Sequence, residues 1–276
     1  MITVQSGYAS DVGRLRQVNQ DSLLATKEFF AVADGMGGHA AGEVASRLAV
    51  ARLRRLAGRS QFNPDDVRAE LITANEDILA SAEQHPEHRG MGTTVAGLGV
   101  VRIAGADHWV VFNVGDSRVY RLVGGAMVQV TVDHTEVAEM VAAGELAADD
   151  AQWHPRRHIV TRALGSDPAP EPDVWVFPPT SGERFLVCSD GLLLELREPE
   201  IIELLSTEPV PQRAADELVR RAKAYGGRDD VSVIVVDYAV EGGSSTAAPG
   251  GTSTTAPAGN RLDDTLPRSR HTEPVG

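Results

Sequence analysis

Apolar and polar positions follow one another in two rhythms along this chain, a period of two and a period near 3.6, and the switches between them mark out its elements. Alternation over residues 4–8 and the apolar run 23–33 predict the first strands, with the polar segment 10–20 between them. From 40 to 56 the apolar positions Val44, Ala45, Leu48, Ala49, Ala51, Leu53 and Leu56 recur at helical spacing, and Gly58 stops the pattern. A second helix is predicted after Asn63-Pro64, a capping side chain followed by a proline whose missing N–H is not needed there. Leu71, Ile72, Asn75 and Ile78 fall along it, and the two helices are expected to pack as an antiparallel pair.

Strand rhythm returns over 93–103, 108–114, 118–123 and 126–130, with Gly124-Gly125 as the hairpin turn between the last two. Residues 135–150 read as a weakly apolar helical stretch, followed by the polar run His154-Pro155-Arg156-Arg157-His158. A mobile subdomain bordering the functional site is expected here. Beyond it come a strand at 184–189, helices at 198–205 and 212–225, and a buried last strand at 231–238. The sum is roughly ten strands and five or six helices.

Composition narrows the picture. With 276 residues, 42% of them hydrophobic, the chain is long enough for the core of one good-sized domain, and no internal repeat divides it. From residue 241 onward Gly, Ser, Thr, Ala and Pro dominate, so residues 241–276 are expected to be a disordered tail and 1–240 the folded domain. The formal charge of −13 argues against nucleic acid or an anionic membrane as partner. No stretch has the pattern of a secretion signal or a membrane helix, and the one cysteine forms no internal disulfide, which together lead one to expect a cytoplasmic protein. No helix face is left unexplained, so a monomer is expected.

The candidate chemistry lies where apolar runs end on acidic residues. Residues 29–33 lead into Asp34-Gly35, 110–114 into Gly115-Asp116-Ser117-Arg118, and 185–188 into Ser189-Asp190-Gly191. Gly226-Gly227-Arg228-Asp229-Asp230 leads into 231–236. Carboxylates dispersed in sequence but all placed at strand ends point to one shared, oxygen-lined metal site. Carboxylate and carbonyl oxygens suit Mg²⁺ or Mn²⁺, and the Cys/His spacing of a zinc site is missing. Two such ions about 3.5 to 4 Å apart lower the pKa of a shared water and neutralise a phosphoryl group during in-line displacement. Phosphate ester hydrolysis is the reaction that fits. The segment 10–21 adds Arg16, whose planar fork matches phosphate, and a fifth carboxylate, Asp21.

This set resembles the metal-dependent serine/threonine protein phosphatases of type 2C, in particular the bacterial stand-alone members, over residues 4–238 and with the motifs in family order. The resemblance implies an α+β fold, a four-layer α-β-β-α sandwich of two antiparallel sheets flanked by helix pairs, with the metals in a cleft at one end. It implies that Asp34 bridges two core Mn²⁺ or Mg²⁺ ions, that the Gly35 carbonyl binds the second, and that Asp190 and Asp229 bind the first. Asp21 would act through metal-bound water, Arg16 would hold phosphate, and Asp116 would join Asp190 at a third, weaker ion. Arg16, Asp34 and Asp190 would be the catalytic set. Residues 135–163 would form the variable flap. The implied activity is hydrolysis of phosphoserine and phosphothreonine in phosphorylated proteins, the substrates of serine/threonine kinases, by a metal-bridging water or hydroxide.

Two departures stand out. The family's last motif reads Asp-Asn, whereas this chain has Asp229-Asp230, an extra carboxylate expected beside the first metal; and Met36 replaces a histidine that animal enzymes carry. His39 is read as a cap or packing residue and Arg14 as solvent-facing. His134, His154, Arg156, Arg157 and His158 are read as a solvated surface. Cys188 is read as core, because a thiol phosphatase needs an arginine six positions later and Leu194 stands there. The rival readings are a catalytically silent phosphoprotein-binding pseudophosphatase, which degraded ligands would mark, and a regulatory phosphatase dedicated to one partner.

Overall fold

Every β-pairing in the described part of the chain is antiparallel, and two five-stranded sheets result. A computed structural model describes residues 2–37, 41–59 and 61–240. His39 and the expected tail at 241–276 lie outside the described residues. The first sheet has the order β1 (Ile2–Asp11), β12 (Val231–Val240), β11 (Arg184–Cys188), β8 (Arg118–Val123) and β9 (Ala126–Gln129). The second has the order β10 (Asp173–Phe177), β7 (Ala106–Val114), β6 (Val95–Ile103), β3 (Phe29–Ala33) and β2 (Ser22–Ala25). A short pair, β4 (Gly35–Met36) with β5 (Gly92–Thr93), stands apart from both.

The period-two alternation of each strand supplies two cores at once. In β3, Phe30 and Val32 join Leu98, Trp109, Val111, Phe185, Val187, Ile234 and Val236 between the sheets. Phe29, Ala31 and Ala33 of the same strand face outward, against Ala45, Leu53, Leu71 and Ile78. Those residues belong to α1 (Ala41–Ala57) and α2 (Pro64–Gln84), which pack on each other over the second sheet. On the opposite side Val231, Val233 and Val235 of β12 meet α6 (Glu198–Thr207) and α7 (Pro211–Tyr225) through Ile201, Leu204, Leu218 and Ala222. The architecture is the expected four-layer α-β-β-α sandwich. Asn63 caps α2 as its sequence indicates, accepting the N–H groups of Asp65 at 2.8 Å and Asp66 at 3.1 Å, while Asp66 accepts the N–H of Asn63 at 2.8 Å.

One polar group crosses the inter-sheet core. The buried Glu183 accepts Trp109 Nε1–H at 2.5 Å and the Thr180 N–H at 2.9 Å on one oxygen, and Arg121 Nε–H at 2.7 Å on the other. Glu183→Ala would orphan all three donors. The expected cost is about 3 to 5 kcal/mol, read as a fall in the urea midpoint of unfolding.

Differences from the sequence reading have local causes. The run 23–33 is two strands, because Thr26 turns the chain by accepting the Phe29 N–H at 3.0 Å. Residues 135–150 are two helices, α3 (Glu136–Ala142) and α4 (Ala148–Ala151), separated around Gly144, whose φ of +74° no helix continues through. The strand β10 was not expected at all. It lies on the edge of the second sheet, where the prolines on both sides of it cost no ladder hydrogen bonds.

Candidate active site

Register gathers the acidic strand ends. In the second sheet Val32 pairs with Ala96 and Val95 with Val114, so the end of β3, the start of β6 and the end of β7 share one edge. In the first sheet Cys188 faces both Arg118 and Val233, and Asp11 faces Val231, which puts the end of β11, the start of β8 and the start of β12 together. The three-residue link from β7 to β8 joins these two edges. Asp34, Asp116, Asp190 and Asp229 therefore come together at one end of the sandwich. Asp21 enters the same place at the start of β2.

Each backbone there is held by specific bonds. The Asp34 N–H donates to Thr94 Oγ1 at 3.3 Å, and the Asp34 carbonyl accepts from Thr94 N at 2.9 Å and Thr93 Oγ1 at 2.8 Å. Gly35 is wedged between two backbone carbonyls: a Cβ would lie 2.2 Å from Gly42 O and 2.4 Å from Gln20 O, which no side chain tolerates. Asp190 opens α5 (Asp190–Leu193). Asp21 accepts a 2.8 Å bond from Ser189 Oγ on its Oδ2, and that hydroxyl in turn accepts the Ser232 N–H at 3.0 Å. Nothing in the sequence reading singled out Ser189 or Ser232; the one available signal was their position beside the strand-end motifs.

The electrostatics are dominated by burial and like charge. Desolvation first, then the carboxylates of Asp21, Asp190, Asp116 and Asp229, hold Asp34 well above the ordinary carboxylate range. Burial pushes Asp21 up to about 7, with Asp230 and Asp190 adding to the rise against the hydrogen bonds of Ser232 and Ser189. Asp116 is likewise raised to about 7 by burial and by Asp190 and Asp133. Asp190 rises through burial and Asp229, and a hydrogen bond shared with Asp34 opposes the shift. Among the described residues only Asp229 of this group has an ion-pair partner. Arg16 Nε and Nη2 donate to its two oxygens, each at 2.8 Å, from a half-exposed position.

Two like charges about 5 Å apart repel by roughly 3 kcal/mol at an effective dielectric near 20, whereas a hydrogen bond to a charged group returns about 1.5 to 3 kcal/mol. The hydroxyl and amide bonds present do not balance several such pairs. Either protons or cations must. The donor set fits hard divalent cations, since every donor is an oxygen and Asp21 Oδ1 is buried with no hydrogen-bond partner. Among the described residues no three His, Cys, Asp or Glu side chains already form a ready-made cage for one ion. Asp229 is turned onto Arg16, and any cation coordination here must draw on the Gly35 carbonyl and solvent as well as carboxylates.

The sequence model of the family described as Protein phosphatase 2C matches residues 14–231, the span that carries Arg16, Asp21, Asp34, Asp116, Asp190 and Asp229. The chain belongs to the protein phosphatase 2C family. Among relatives of this family, the serine/threonine phosphatase stp of Listeria innocua is 36% identical over 244 residues, covering 83% of this chain and 94% of the relative. The serine/threonine protein phosphatase PstP of Mycobacterium tuberculosis is 37% identical over 86% of this chain and 46% of its own length. A crystal structure of the M. tuberculosis phosphatase superposes with a TM-score of 0.79 at 36% identity, covering 86% of this chain and 99% of that one. The catalytic domain of PstP in complex with two manganese ions gives a TM-score of 0.78 at 34% identity, over 87% of this chain and 100% of that one.

Two side chains of this protein phosphatase 2C member, His134 and Asp230, differ from their sequence reading. His134 is buried, not solvated: its Nδ1 accepts the Gly115 N–H at 3.1 Å, its own N–H donates to the Gly115 carbonyl at 2.9 Å, and Nε2 lies 3.2 Å from Asp173 on the unexpected strand β10. It fastens the base of the 135–163 segment to the turn that carries Asp116. Cys188 is core, as expected, and burial pushes its thiol up to about 12. Asp230 is buried and turned to backbone amides instead of standing open beside Asp229.

Proposed function

We propose that this chain is a metal-dependent protein serine/threonine phosphatase acting on phosphorylated proteins. The observation that carries the reading is the convergence of Asp21, Asp34, Asp116, Asp190 and Asp229 with Arg16 at one end of the sandwich, in a chain of this family. Its relatives are named serine/threonine phosphatases, and one is described with two manganese ions. Mn²⁺ or Mg²⁺ is accordingly the proposed cofactor.

Asp34 would stand between two core ions, with the Gly35 carbonyl serving one and Asp190 and Asp229 the other, and Asp116 with Asp190 would serve a third, weaker one. Bound there, the ions supply Lewis acidity to the phosphoryl oxygens and acidify a shared water. Asp21 is oriented by the Ser189 hydroxyl and acts at one remove. Arg16 already holds two carboxylate oxygens with a fork that matches two phosphate oxygens equally well, so it orients the phosphoryl group once Asp229 has a cation as partner. The buried Cys188 thiol takes no part, and no covalent phosphoenzyme forms.

The domain is proposed to span 1–240 with a flap at 135–163, and to work as a cytoplasmic monomer in signalling, opposing serine/threonine kinases, without nucleic acid or membrane as partner. No helix among the described residues is long and apolar enough to cross a membrane. No ligand position is degraded, so nothing favours a silent binding module. The test is manganese-dependent phosphate release from a phosphothreonine peptide. Asp190→Asn is expected to lose it; equal activity in the variant would remove the reading.

A further inference from the structure

Asp230 has both of its carboxylate oxygens already held by backbone amides. Its Oδ1 accepts the Gly13 N–H at 2.9 Å and its Oδ2 accepts the Gln20 N–H at 2.8 Å, with the side chain 3% exposed. Those two amides bracket residues 13–20, the segment that carries Arg16 and runs directly into Asp21. The rest of the segment leans on the same wall. The Arg14 N–H donates to Gly227 O at 2.6 Å, and Gly13 approaches Asp229 so closely that a Cβ would lie 2.5 Å from its carbonyl carbon and oxygen. At the far end the Gln20 carbonyl accepts from Gly35 N at 3.2 Å and Ser46 Oγ at 2.7 Å.

The residue type matters here. A carboxylate presents an acceptor on each oxygen, whereas the asparagine of the family motif presents one acceptor and one NH₂ donor. In this geometry asparagine would set its NH₂ against one of the two backbone N–H groups, leaving a buried donor unmet. We propose that Asp230 is a positioning residue that clamps both ends of the 13–20 segment through the Gly13 and Gln20 amides, and so sets where Arg16 meets the phosphoryl group. The effect on Arg16 rests on the phosphatase reading above; the clamp itself does not.

The experiment has two arms on the full-length chain. In the metal-free protein, amide hydrogen exchange is followed residue by residue by NMR in Asp230→Ala and Asp230→Asn. Exchange at Gly13 and Gln20 is expected to accelerate by ~10-fold or more in the alanine variant, and at one of the two in the asparagine variant, with the β6 amides unchanged. Unchanged protection at Gly13 and Gln20, or an equal acceleration throughout β6, overturns the clamp. In the second arm, KM for the phosphothreonine peptide is expected to rise several-fold in Asp230→Asn with kcat within about 2-fold. That rise is expected to vanish when Arg16→Ala is already present. A rise of equal size in the Arg16→Ala background overturns positioning through Arg16. Should Arg16→Ala alone leave KM unchanged, the phosphate role of Arg16 falls, while the exchange arm still decides the clamp.

Discussion

Asp34→Asn is expected to lower phosphate release by ~10³-fold or more and, in the same molecule, to raise the urea midpoint of the ion-free protein. The first effect follows from its place: Asp34 neighbours Asp21, Asp190, Asp116 and Asp229 electrostatically, so a cation pair seated among them has Asp34 in common. A loss of about 4 kcal/mol of transition-state stabilisation corresponds to that rate ratio. The second effect follows from the cost of the same carboxylate without ions, since burial and four like-charged neighbours all oppose its charge. An amide of the same shape keeps the main-chain bonds to Thr93 and Thr94 and removes the repulsion. Opposite movement of activity and stability is the mark of a residue held in place for function. A variant that turns over normally would contradict the first effect, and one that unfolds at lower urea than the parent would contradict the second.

Stability of the ion-free protein is expected to fall as pH rises from about 4 to about 7, and added Mn²⁺ is expected to restore it mainly at the upper end. Asp21 and Asp116 are each raised to about 7, against roughly 3.9 in an unfolded chain. Below the unfolded value both states carry the proton and these groups impose no penalty. Between the two values the unfolded chain has released its protons while the folded one still holds them, so unfolding gains at most about 1.4 kcal/mol per pH unit for each group. Above pH 7 the carboxylates are charged and mutually repelling, and a divalent cation that binds only the folded state raises the melting temperature by mass action. Thermal melts at pH 5 and pH 7.5, with and without millimolar Mn²⁺, check this. A manganese shift as large at pH 5 as at pH 7.5 would contradict it.

The parts of the molecule that could be read from the chain are those where one local rule decides. Apolar runs broken by Asp-Gly at residues 34 and 190 had to end as strands, and the Asn63-Pro64 pair had to open α2. The continuous apolar runs at 29–33 and 231–236 marked buried strands, whereas the two sheets with helices outside were implied by the family resemblance. What escaped was set by partners distant in sequence. β10 is five residues between prolines, and its pairing with β7 gives it a structure its own composition does not. His134 sits in a polar stretch that reads as surface, yet the Gly115 turn and Asp173 enclose it. The orientation of Asp230 depends on the Gly13 and Gln20 amides, more than two hundred residues away along the chain. Ser189, just past the end of β11, and Ser232 in β12 fix Asp21, yet they stand beside residues read for their apolar runs and carboxylates.

The proposed function requires that oxygen donors from distant strand ends converge to hold a pair of divalent cations. Calorimetric titration of the full chain with Mn²⁺ at pH 7.5 tests it most directly. At least two ions per chain are expected for the parent protein and fewer than two for Asp34→Asn. A parent protein that takes up one ion or none at millimolar Mn²⁺, while still releasing phosphate from a phosphothreonine peptide, would contradict it.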